Sequence, residues 1–310
     1  VTLHPDETPI DPQLAKTLVA QQFPQWAGLE LGPAGAGTDN VMYRLGDDLL
    51  LRLPRTPVTA KALHKEVTWL PRLAPALPLQ VPAPVAVGEP NAGYPHPWAV
   101  YSWIPGESAD LAEIADQAEF GRSLARFVLA LRQADHTGAR RCDGFDFYRS
   151  QPFRDRPAWA RRVVTDCRAL PAAADTLDLD AAAAVLTAAD ALPAVGSDGS
   201  AQLWLHSDLR PANLLVRGGE LTAVIDWGAL SLGDGTAEHA PVWDLSAAAR
   251  AGYRDELRVA DDVWLRAAGW SLIIGLSGVL HYHRSWPAFA DESRARVREV
   301  LADPSVTAPA

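Results

Sequence analysis

Apolar residues recur at helical spacing over 11–23, where Leu14, Leu18, Val19 and Phe23 share a face and Asp11 or Pro12 marks the start. VMYRL (41–45) alternates like a half-buried strand, Gly46-Asp47-Asp48 is a turn, and LLLRL (49–53) returns. This predicts a hairpin entered through a loop rich in glycine (Gly32, Gly35, Gly37). Residues 58–74 predict a helix ending near Pro75. Strands are expected at 81–87 and 98–104, and proline in the first favours an edge or a bulge. After Pro105-Gly106 the texture changes. Helical spacing dominates 110–134, 156–170, 180–192, about 240–251, 257–284 and 289–302, with short strands returning over 203–226. The alanine-rich stretch 171–196 keeps apolar spacing and reads as helix. A small strand-rich part, 1–104, thus precedes a larger helix-rich part, 105–310.

Composition narrows the class. The 310 residues are 48% hydrophobic and 21% charged, as in ordinary globular proteins. With no unbroken apolar run of about 18 residues, no membrane span is expected. The first residues lack the basic start and apolar core of a signal peptide, so a cytoplasmic location is expected. A net charge of −10 argues against nucleic acid and favours cationic small molecules or proteins. Cys142 and Cys167 lack the spacing of a disulfide framework or a zinc site.

One segment carries chemistry. His206, Asp208 and Asn213 form H-x-D-x-x-x-x-N, and Asp226 follows beyond a second predicted hairpin, LLV–RGGE–LTAVI. A hairpin returns the chain to its starting end, so Asn213 and Asp226 should meet there. An amide oxygen beside a carboxylate suits Mg²⁺, which takes few protein ligands and leaves positions for phosphate oxygens. Asp208, on the preceding loop, is placed to accept a proton from an attacking hydroxyl. The plainer alternative has His206 and Asp208 bracing a loop while Asn213 and Asp226 cap turns. The run 32–38 contains G-x-x-x-x-G but no lysine, and a strand follows it, so it is no Walker site. A loop covering phosphates from above fits better.

HSDLRPANLLV followed by IDWG resembles the catalytic and metal-binding loops of the aminoglycoside phosphotransferase family, relatives of the protein kinases. GTDNVMYRL (37–45), LLLRLPR (49–55), KEVTWLPRL (65–73), PWAVYSWIPGE (97–107) and GDGTAE (233–238) are similar to further segments of that family. The resemblance spans nearly the whole chain and is weakest over 136–200. It implies an α+β, protein-kinase-like two-lobe fold: a nucleotide-binding N-lobe (1–104) and a C-lobe (105–310) with the catalytic loop and acceptor site. It implies Mg²⁺-dependent transfer of the γ-phosphoryl group of ATP or GTP to a hydroxyl of an aminoglycoside-like or other antibiotic natural product. A metabolic kinase for choline, a sugar or an amino acid, or a catalytically idle nucleotide-binding module, would share the fold. A cationic acceptor and a monomer or homodimer are expected, with neither nucleic acid nor membrane as partner.

The same resemblance assigns roles. Asp208 is the base or the group orienting the acceptor hydroxyl, and His206 braces the loop. Arg210 reaches the transferred phosphate or faces solvent. Asn213 and Asp226 are the metal ligands. Arg52 and Glu66 stand where kinases pair a strand lysine with a helix glutamate, the alternative being a surface ion pair. Thr38, Asn40 and Val41 belong to the phosphate-covering segment. Backbone groups from Ser102 to Ile104 meet the purine edge. Val41, Leu215 and Ile225 sandwich the base or simply pack the core. Asp234 and Glu238 border the acceptor, and Glu238 stands where the family has aspartate. Asp262, beside Asp261, suits a cationic amino sugar or simply a helix N-terminus. Trp270 lines a sugar pocket or packs inside.

Overall fold

The computed structural model describes residues 7–36, 39–91, 93–192 and 202–307. Its N-terminal part is a five-stranded antiparallel sheet in the order β1-β2-β3-β5-β4, built from β1 (Leu31–Ala36), β2 (Asn40–Leu45), β3 (Leu49–Pro54), β4 (Pro84–Gly88) and β5 (Trp98–Ser102). The proline-containing strand β4 lies at the edge and carries an irregularity between Pro84 and Ala86. The glycine run, expected as a loop, is mostly strand β1; a register shift between Pro33 and Ala36 absorbs its irregularity.

Helix α1 (Pro12–Gln22) starts on Asp11, whose Oδ1 accepts from Leu14 N at 2.7 Å, and on Pro12. Side chains alternate across β3. Leu51 and Leu53 join Ala15, Leu18 and Val19 in one core, while Leu50 packs with Leu63 and Leu70 of helix α2 (Pro57–Leu73) in the other. Arg52 shares the Leu50 face, so a period of two carries its guanidinium toward α2. On α2, Leu63, Glu66, Leu70 and Leu73 are buried, the spacing of one helix face. Lys65 ties this helix to the C-terminal part: Nζ donates to Gly144 O (2.8 Å) and Leu230 O (3.0 Å).

The larger part is helical. Strand β6 (Glu107–Ser108) leads to helix α3 (Gln117–Gln133). That helix begins later than residue 110, because Asp116 caps it by accepting from Glu119 N at 2.9 Å. Helices α4 (Pro157–Ala169), α5 (Pro171–Ala174) and α6 (Leu179–Ala191) follow; residues 193–196 of the alanine-rich stretch lie outside the described residues. Strands β7 (Leu203–Leu205), β8 (Leu214–Arg217), β9 (Glu220–Val224) and β10 (Ser231–Gly233) form a pair, β10-β7, and a three-stranded sheet, β6-β8-β9.

Residues 235–244 form a 3₁₀ run containing Pro241, not the start of an α-helix as expected, since proline lacks the N–H that a helix interior requires. Helix α7 (Ala247–Leu257) crosses α3 without side chains between them: a Cβ on Gly121 would stand 1.9 Å from Ala249 O. Helices α8 (Asp261–Tyr282), α9 (Pro287–Ala302) and α10 (Pro304–Thr307) complete the described residues. By length and composition α8 passes as a membrane span, with a mean hydropathy of 1.5 over 18 residues, yet 72% of that window is buried within the protein. It is apolar all round because it is the central core helix.

Candidate active site

Strand β7 ends at Leu205 and leads directly into His206, Ser207 and Asp208. Ser207 has φ 67°, a left-handed conformation rare for a residue other than glycine. Glu238 holds this turn: its Oε1 accepts from His206 N (2.8 Å) and its Oε2 from Ser207 N (2.7 Å). Glu238 is 2% exposed. It therefore does not border the acceptor; its longer side chain is spent on two backbone donors of the loop. His206 is fully buried. Its Nε2 lies 3.0 Å from Ile225 O, which can only accept, so Nε2 carries the hydrogen and Nδ1 accepts from Asp208 N at 3.2 Å. Burial lowers the His206 pKa, which favours this neutral, bracing ring.

The Asp208 carboxylate takes two donors. Oδ1 accepts from Arg149 Nη1 at 2.6 Å and Oδ2 from Asn213 Nδ2 at 3.2 Å. Burial pushes the carboxyl up, but the Arg149 guanidinium outweighs it and holds Asp208 below its usual range. Arg149 also donates to Ser207 O (2.7 Å) and Tyr148 Oη (2.9 Å). The sequence reading missed this arginine. Its segment carries the weakest resemblance, and its partner is 59 residues away.

Hairpin β8–β9 joins Asn213 to Asp226: Ile225 N donates to Asn213 O at 2.9 Å. Asn213 spends its NH₂ on Asp208, with a second bond to Asp208 O at 2.8 Å, which leaves its side-chain oxygen as the atom that would ligate a cation. Asp226 has φ 61°, and its half-exposed side chain gives only Oδ1 to Arg52 Nη2, at 2.8 Å. Two partly used oxygen donors, one on the buried Asn213 and one on the half-exposed Asp226, fit Mg²⁺ with water and phosphate oxygens as its other ligands. Among the described residues no group of three or more His, Cys, Asp or Glu forms a complete protein cage.

Arg52 is buried, not a surface residue. Nη1 meets Glu66 Oε2 at 2.5 Å, and Asn40, with its amide oxygen turned inward, accepts from Nε (3.1 Å) and Nη2 (2.9 Å). Every nitrogen of the guanidinium thus has a protein partner. Burial pushes the Glu66 carboxyl up to about 7, against the downward pull of Arg52.

Ile104, Leu215 and Ala223 form a small apolar cluster with Ile225 packed on it, while Val41 packs on the core of the first sheet. Ser102 N–H is taken by Ala83 O (3.0 Å) and Trp103 N–H by Asp48 O (2.7 Å). Ser102 therefore cannot lend its N–H to a base; Ile104 is the next residue along the chain. Thr38 lies outside the described residues.

The residues assigned to the acceptor are scattered in their engagement. Asp234 caps the 3₁₀ run, accepting from Thr236 N at 2.8 Å. Asp262 pairs with Arg266 one helical turn on, at 3.0 Å. Trp270 is fully buried against Phe153, Trp159 and Tyr148, so it packs the core rather than an open sugar pocket. Arg210 pairs with Glu292 at 2.8 Å and lies 4.8 Å over the Phe289 ring.

A sequence model of the phosphotransferase enzyme family matches residues 30–270, which include every motif described above. The chain belongs to the phosphotransferase enzyme family. No match is found among curated protein sequences. Solved structures place this phosphotransferase-family chain among known folds. The GDP and kanamycin complex of APH(2″)-IIIa is similar over 92% of this chain and 97% of its own, with a TM-score of 0.72 at 18% identity. The GDP complex of wild-type aminoglycoside 2′-phosphotransferase-IIIa is similar over 94% and 99%, with a TM-score of 0.73 at 18% identity. Macrolide 2′-phosphotransferase MphH from Brachybacterium faecium is similar over 93% and 98%, with a TM-score of 0.60 at 21% identity. At these identities the likeness establishes the two-lobe, kinase-like fold.

Proposed function

We propose that the chain transfers the γ-phosphoryl group of ATP or GTP to a hydroxyl of a small natural product, with antibiotic inactivation as its role. The observation that carries the reading is Asp208: an ionised carboxylate held by Arg149 and Asn213, beside the Asn213–Asp226 oxygen pair. Phosphoryl transfer needs alignment and charge neutralisation more than covalent help. In this reading residues 1–104 hold the nucleotide and 105–310 the acceptor. Asp208 accepts or orients the acceptor proton, while His206 and Glu238 fix its backbone. Bound to Asn213 and Asp226, Mg²⁺ would neutralise phosphate charge. Solved neighbours described as complexes with GDP and with kanamycin support a nucleotide donor and a hydroxylated natural-product acceptor.

The purified chain, Mg²⁺, ATP or GTP and a panel of hydroxylated antibiotics are mixed and searched by mass spectrometry for a product one phosphoryl group heavier. The product should vanish in Asp208→Ala while the nucleotide still raises Tm. One observation favours the second reading, a nucleotide-binding module without turnover: Arg52 is fully engaged by protein groups. Nucleotide binding with neither transfer nor slow hydrolysis would decide for that module.

A further inference from the structure

The expectation of a cationic acceptor does not fit the wall beside Asp208. The group nearest the Asp208 carboxylate on this side is a guanidinium, Arg149, 2.6 Å away. Two residues on, Arg210 presents a second one. An ammonium brought close to Asp208 would meet Arg149 in a partly desolvated site, where like charges repel strongly. Of the acids placed at the acceptor or suited to a cation, Asp262 pairs with Arg266 and Asp261 with Arg254 at the surface, Glu238 holds the loop backbone, and Asp234 caps the 3₁₀ run. A cavity of about 320 Å³ opens beside Arg210, and three of the four acids lining it are paired with arginine. These are Glu292 with Arg210, Asp244 with Arg296, and Glu299 with Arg250; Asp110, on an exposed loop, is the fourth.

Nor does this wall call for an anion. Arg149 is balanced by Asp208 and Arg210 by Glu292. What remains is aromatic surface. Phe147 and Tyr148 lie under Arg149, with ring centroids 4.6 Å apart. Tyr282, Trp286 and Phe289 form a second group, with Tyr282–Phe289 at 4.9 Å and Trp286–Phe289 at 5.3 Å, joined to the catalytic loop through Arg210. Trp286 is 38% exposed. Arg210 already covers part of Phe289, and Arg149 covers part of Phe147 and Tyr148, so the exposed Trp286 indole is the ring offered, beside balanced charges, to the apolar face of a ring compound.

We infer that the acceptor is an uncharged, hydroxylated ring compound, such as a glycoside, whose apolar face stacks on the Tyr282–Trp286–Phe289 group while one hydroxyl reaches Asp208. The inference rests on the phosphotransferase reading and narrows its acceptor.

The test uses the whole chain with Mg²⁺ and ATP or GTP and three probes: phenyl β-D-glucopyranoside (uncharged), phenyl β-D-glucuronide (anionic) and kanamycin (cationic). The glucoside should be phosphorylated with kcat/KM at least about tenfold above either other probe. Trp286→Ala, at an exposed position, should raise the glucoside KM more than it lowers kcat. Equal or better transfer to kanamycin or to the glucuronide overturns the inference. If no probe is phosphorylated, saturation-transfer NMR with Mg·ADP present decides. Signal on the glucoside ring that Trp286→Ala removes supports the inference, and absence of signal overturns it. The melting shift with Mg·ATP is read separately. A shift without glucoside binding sinks this inference alone, whereas no shift sinks the phosphotransferase reading with it.

Discussion

The two walls of the cleft are held by different means. Toward the first sheet, Arg52 ties strand to helix and to the C-terminal part through Glu66, Asp226 and Asn40, a network of side chains between separate elements. On the catalytic side, Asp208 is fixed through its own backbone: Glu238 takes the two preceding N–H groups and His206 takes its N–H. The first arrangement depends on charges meeting across three separate elements, β3, α2 and the turn at Asp226. The second fixes one turn locally and leaves its carboxylate open toward the cleft. In the proposed reading, aligning a proton acceptor calls for the local kind of restraint, whereas a wall that would admit a nucleotide can be tied by exchangeable contacts.

Substitutions should separate these two kinds of restraint. The largest effect is expected from Asp208→Ala, which should cut transfer about 10²–10⁴-fold, measured by product formation, while a nucleotide-induced Tm rise persists. Arg52→Ala should act on the whole molecule. It leaves Glu66 buried without its partner, at a cost of about 3–5 kcal/mol, and Tm should drop by roughly 5–15 °C in calorimetry. Glu238→Ala should fall between them. Two buried N–H groups lose their acceptor at about 1–3 kcal/mol each, and kcat should fall further than nucleotide affinity does.

Acid supplies a smaller effect. Burial lowers the His206 pKa relative to about 6.5 in the unfolded chain, so below that pH only the unfolded state readily takes the proton. Stability is therefore lost as pH falls from about 6.5. Urea melts of wild type and His206→Gln should diverge in slope there, and parallel curves would count against a buried neutral imidazole. Asp208 adds a lower window, since its depressed pKa makes its contribution full above about 3.9 and lost as pH falls through the folded value. The smallest effect should come from Asp262→Ala. With its carboxylate half-exposed and engaged by Arg266, acceptor KM should change less than about twofold.

Much of this was legible in the chain. The β2–β3 hairpin, the proline-bearing edge strand and the meeting of Asn213 with Asp226 follow from alternation, glycine turns and short-range geometry. The Arg52–Glu66 pair came from the family resemblance, and the strand period and helix face agree with it in the structure. What stayed hidden depends on distant partners or on competition between local signals. Arg149 had no pattern to mark it, because its role exists only once residue 208 is folded beside it. Glu238 looked like a departure from a motif, and only its hydrogen bonds reveal a holder of the loop. Apolar spacing overran the start of α3, where the Asp116 cap decided, and missed the 3₁₀ run, where Pro241 did.

Arg52 has a further consequence. Its guanidinium has a protein partner at every nitrogen, so in the proposed reading a phosphate would gain from it only by exchange. Apparent affinity is then a difference between two well-bonded states. Changes that weaken only the resting set should tighten nucleotide binding without touching the nucleotide, as any tax on the competent conformation is lifted when its competitor is destabilised.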